Sequence, residues 1–105
     1  MDFSNLRDVV EIKSVVAESI RYIRSQPPAT VLTLTNISGM HFNNEIKDLF
    51  NDFIKGDKPY VKAGAVIGVA GLQQFIYNTL MKVTGRDIKA FSTIEEAKNW
   101  LVNIN

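Results

Sequence analysis

The 105-residue sequence has no cysteine, one histidine, one tryptophan and three prolines. Without cysteine, it can form no disulfide or thiolate metal site and offers no cysteine nucleophile. The lone imidazole, His41, has only Glu45 as a nearby acid, and neither a base nor a metal ligand is made from so few partners. Charge of one sign is also missing: 12 Lys and Arg face 11 Asp and Glu, a formal net charge of +1. That balance argues against electrostatic capture of nucleic acid. The longest apolar run, Ala63–Leu72, is glycine-rich and far short of the roughly 20 residues a membrane helix needs. Asp2 and the residues after it lack the basic-then-apolar pattern of a signal peptide. A cytoplasmic protein without a transmembrane segment is expected, and nothing in the chain calls for a cofactor.

What is present suits one domain, residues 1–105, with enough apolar content to build a single core without staples. The rest of the chain is organised around Val61–Ala70, which is almost all small or β-branched, with Lys62 its only charge. Such a run, lacking alternation, fits a central strand covered on both faces. Before it, Met1–Leu6 supplies only a strand stub, Asp2–Ser4. The helical period Val9, Ile12, Val16, Ile20, Ile23 predicts a helix over about 8–25, capped by Asp8 and stopped by Pro27 and Pro28. Val31–Asn36 reads as a strand, Asn36–Asn44 as a loop, and Asn43 or Asn44 caps a helix to Lys55 with Gly56 at the left-handed position beyond it. After the central strand, Gly68 and Gly71 flank a turn into a helix over Leu72–Val83. Its apolar face is expected to hold Leu72, Phe75, Ile76, Thr79, Leu80 and Val83. Asp87–Phe91 alternates as an edge strand. Ser92 and Glu95 form a capping box for a last helix that docks through Ile94, Ala97, Trp100 and Leu101. Strands alternating with helices of this length imply an α/β fold: a mainly parallel four-stranded sheet, its first strand vestigial, with helices on both faces.

In open parallel sheets, sites collect beyond the carboxyl ends of the strands. Two segments meet that condition. One carries Ser38, Met40, His41, Phe42, Asn43 and Asn44; the other carries Gly68, Gly71, Gln73 and Gln74. The glycine turn either holds an anion at a helix N-terminus or simply permits a close strand-to-helix turn. It is neither a Walker A motif nor a dinucleotide fingerprint. Met40 and Phe42 either seal the core or form a contact patch. No Ser–His–Asp set can be assembled from Ser38 and His41 in one short loop. Lys55, Lys58 and Lys62, and again Lys82, Arg86 and Lys89, are diluted by Asp57 and Asp87 and read as solvated surface.

The block Val31–Asn36 followed by HFNNEI, then KPYVKAGAVIGVAGLQQFIYNTL and GRDIKAFSTIEEAKNWL, resembles bacterial STAS/SEC14-like domains of the SpoIIAA-like superfamily over about residues 26–102. The resemblance implies an α/β domain used for regulatory protein contact or small-ligand sensing. Anti-sigma-factor antagonists of that superfamily carry a phosphorylatable serine at the start of the helix after the second strand. The matching place here reads Phe42–Asn43–Asn44–Glu45, without the serine. The expectation is a non-enzymatic regulatory or protein-interaction domain. It would act through the two strand-end segments on a protein partner or a second copy of itself. The alternative is a domain that binds an anion or lipid headgroup at the same edge.

Overall fold

The computed structural model describes residues 1–104, apart from the side chain of Leu72. Its elements are α1 (Val9–Ile23), β1 (Val31–Asn36), α2 (Asn44–Asp57), β2 (Val61–Ile67), α3 (Leu72–Thr84), β3 (Lys89–Phe91) and α4 (Ile94–Val102). The three strands pair in parallel in the order β1-β2-β3, which puts β2 in the middle. A fourth strand is not formed among the described residues. The stub contributes one isolated parallel bridge, Asp2 to Asn36, flanked by Phe3 N–H donating to the Asn36 carbonyl at 2.8 Å. So short a segment can pair at one point and no further, yet it carries Phe3 into the core, fully buried against Phe50.

The register Val31↔Val61 followed by Leu32↔Ala63 leaves Lys62 as an extra residue on β2. Such a bulge changes which side the residues after it face. Val61 and Val66 point into the larger core with Ile12, Val16, Ile46, Phe50, Phe53 and Leu80, under α1, α2 and α3. Ala65 and Ile67 point the other way, onto Ala97, Leu101 and Trp100 of α4. The sheet is thus covered on both faces, by three helices on one and a single helix on the other.

The helix ends follow from their caps. The Asp8 carboxylate accepts from Val10 N–H and Asn43 Oδ1 from Ile46 N–H, each at 2.9 Å. Gly85, at φ 69°, closes α3 in the left-handed conformation. Three expectations shift. Gly56 is not the residue beyond α2 but lies inside its last turn, where a side chain would strike the Arg24 guanidinium. The box that starts α4 is one residue later than Ser92 and Glu95. Thr93 is the cap, accepting from Glu96 N–H at 3.2 Å. Ile94, placed by this shift at the first helical position, is exposed rather than docked.

The third shift is in α3, which is rotated from the expected face. Ile76 and Leu80 point inward, but Phe75 and Val83 are 70% and 61% exposed, and Tyr77 and Met81 take their place against the core. The Tyr77 hydroxyl donates to the Ile88 carbonyl, and Met81 Sδ accepts from Ile88 N–H at 3.3 Å. These contacts with the chain entering β3 fix the rotation. The expectation for Leu72 falls on a side chain outside the described residues.

Candidate functional site

The two strand-end segments do come together. Ile37 N–H donates to the Ile67 carbonyl at 3.0 Å, and Gln73 Nε2 donates to the carbonyls of Ile37 and Met40 at 2.9 and 3.1 Å. Gly68 adopts φ 86° and lies so close to Ser38 that a β-carbon would collide with the Ser38 backbone. Glycine is required there both for its conformation and for its lack of bulk.

These contacts make the segment after β1 a tied structural corner. Met40 is 4% exposed, so it seals the core and is not available as a contact residue. Phe42 packs partly buried on Phe50, with ring centroids 6.1 Å apart. His41 is held through its backbone N–H to the Leu6 carbonyl, and its ring enters no hydrogen bond or ion pair among the described residues. Asn43 is spent on capping α2 and Asn44 is exposed. At the second segment, Gly71 is exposed, and the N–H groups of Gln73 and Gln74 already donate to the Ala70 and Gly71 carbonyls. The first turn of α3 therefore has fewer free donors for an anion than a bare helix start. Gln74 is exposed and donates to Asn78.

Beneath this corner lies a pocket of about 70 Å³, partly open to solvent, between the sheet and helices α2 and α3. Its roof is Phe50, Phe53 and Ile54 from α2 and Ile76, Leu80 and Met81 from α3. Its floor is Thr33, Thr35, Val61 and Val66 from the sheet. Two of the lining residues crowd Gly64 of β2: a β-carbon there would come within 2.9 Å of Thr33 Oγ1 and 3.4 Å of Ile88 Cγ1. Phe42 and Gln73 stand at the end nearest the strand-end corner.

The opposite end is polar. Asp57 and Arg86 both line the cavity there. Asp57, the last residue of α2, is 3% exposed, and its Oδ1 accepts from Arg24 Nε at 3.1 Å. Burial raises its carboxyl above the ordinary value of 3.8, outweighing the Arg24 hydrogen bond and the charges of Arg24 and Arg86. The half-buried Arg86 guanidinium donates through Nη1 to the Ile54 carbonyl at 2.7 Å. Desolvation lowers its pKa, with Asp57 opposing the shift. Burial and the nearby Asp87 push the Tyr77 hydroxyl up.

None of the cavity's polar groups except Gln73 belongs to the residues the sequence singles out for a site. Asp57 and Arg86 both read in the chain as members of mixed charge clusters on solvated surface. The available signal was Thr33 and Thr35, two hydroxyls on one face of an otherwise aliphatic strand. Among the described residues, no group of His, Asp and Glu could hold a metal ion, and no helix is long and apolar enough to cross a membrane. No protein-family model, curated protein or solved structure matches the chain.

Proposed function

We propose that this domain binds a small, mainly apolar molecule in the chamber between the sheet and helices α2 and α3. The observation that carries the proposal is the chamber itself, about 70 Å³ with aromatic and aliphatic walls. Native interiors are packed like organic crystals, and voids larger than a water molecule are few. A water needs only about 10–15 Å³, and it needs polar partners that most of these walls lack. The chamber is partly open at its rim, so an apolar guest could enter and would gain roughly 25 cal/mol for each Å² of apolar surface buried against these walls. The proposal concerns binding alone and moves the anion or headgroup alternative inward from the exposed strand-end rim.

Titration with 1-hexanol, followed by amide chemical shifts, tests it. The expected shifts fall on α2, α3 and the facing residues of β1 and β2, and they vanish in a Val66→Phe variant that fills the chamber. No shift up to the solubility limit would refute the reading.

A second reading, a regulatory contact with a protein partner or a second copy, is supported by α3. Phe75 and Val83 stand exposed on its outer side, and aromatic residues are enriched among the anchors of protein interfaces. This surface differs from the strand-end segments, Ser38–Asn44 and Gly68–Gln74, expected from the sequence.

A further inference from the structure

We infer that the chamber's ligand is a short-chain monocarboxylate, its head against Arg86 and its tail among the phenylalanines and leucine of α2 and α3. The inference rests on the binding reading above and adds the chemistry of the head.

Charge balance at the polar end is the first argument. Arg24 and Arg86 bring two guanidiniums and Asp57 one carboxylate, and Asp57 is hydrogen-bonded to Arg24. Arg86 forms no ion pair among the described residues. Asp87, next to it in sequence, is exposed and does not line the chamber. Asp57 acts on both guanidiniums but accepts a hydrogen bond only from Arg24, so the three groups together carry one net positive charge beside an apolar space, where charge is costly. A single negative charge would balance it.

Donor geometry is the second argument. A guanidinium carries five N–H donors in a planar fork that matches a carboxylate. Arg86 spends one on the Ile54 carbonyl. That bond holds the group at the C-terminal end of α2, where a cation suits the helix dipole, and leaves other donors for the chamber. The third is shape. At the far end the side chains of Phe42 and Gln73 carry no charge, which suits an uncharged tail there. A volume of about 70 Å³ holds a tail of a few carbons.

The test compares hexanoate, 1-hexanol and hexylamine by calorimetry at pH 7 and fixed low salt. Hexanoate should bind at least tenfold more tightly than hexanol, and hexylamine should not bind. Acetate, with the head but no tail, should be far weaker than hexanoate. In Arg86→Gln the hexanoate and hexanol affinities should converge, while Arg86→Lys keeps a preference for the acid. If hexanol binds but hexanoate binds no better, the carboxylate inference fails and the apolar-ligand reading stands. If none of the probes binds, both fail. A hexanoate preference that survives in Arg86→Gln would place the head elsewhere and overturn the assignment. Should Arg86→Gln not fold, as judged by circular dichroism, the wild-type comparison and Arg86→Lys decide the question.

Discussion

The Asp57 carboxylate is held where a negative charge is disfavoured twice, by burial and by the carbonyl end of its own helix. Arg24 offsets part of this, and it can reach Asp57 because Gly56 presents no side chain in its path. The net effect is a carboxyl whose proton is held more tightly in the folded chain than in the unfolded one. Its contribution to stability is therefore fully present below the unfolded value near 3.8 and is lost as pH rises through the higher folded value. Urea midpoints measured from pH 3 to pH 8 should show wild type losing ground to Asp57→Asn over that window and keeping a constant difference above it. A difference that moved in wild type's favour with rising pH would contradict the direction of the shift. None of this is visible in the sequence, where Gly56 and Asp57 look like the punctuation after a helix. A partner 33 residues upstream, Arg24, made them part of the helix instead.

Helix α3 shows where periodicity stops being informative. Between Leu72 and Val83 two apolar stripes overlap: Phe75, Thr79 and Val83 on one, Ile76, Leu80 and their neighbours Tyr77 and Met81 on the other. A helical wheel cannot choose between them, because both satisfy the same spacing. The choice is made by Ile88, whose carbonyl and N–H engage Tyr77 and Met81. Strand β1 had no such ambiguity. Its uncharged β-branched run, bounded by the prolines upstream and Asn36, is found over the expected residues. The rotation of α3 has a measurable consequence. Phe75→Glu should change the unfolding free energy by no more than about 0.5 kcal/mol, as for most surface sites. Leu80→Ala should cost about 2–5 kcal/mol. If Phe75 anchors a partner, the same Phe75→Glu variant should lose association in sedimentation while remaining as stable as wild type.

The molecule is two unequal layers around one sheet. Three helices and the larger cluster lie on one face; on the other, α4 alone covers a cluster of two alanines, one isoleucine and one leucine, with Leu34, Ala63, Phe91 and Trp100 at its margin. Fewer and smaller buried groups hold α4 than hold α2, so α4 should open first. Native-state hydrogen exchange should give its amides a lower opening free energy than those of α2 and β2; equal protection throughout would show one cooperative unit. This general plan, a parallel sheet with a small-residue strand at its centre, was legible because Val61–Ile67 lacks both charge beyond Lys62 and polar alternation. The chamber was not, since a void depends on what three separate elements leave unfilled. The seating of two of its lining residues, Thr33 and Ile88, depends on the missing side chain of Gly64, in the middle of β2, and the charge at its end on Arg86, just after α3. The shape of the floor a guest would meet and the sign it would carry therefore reside in different parts of the chain. Sequence drift could retune either one while leaving the other as it is.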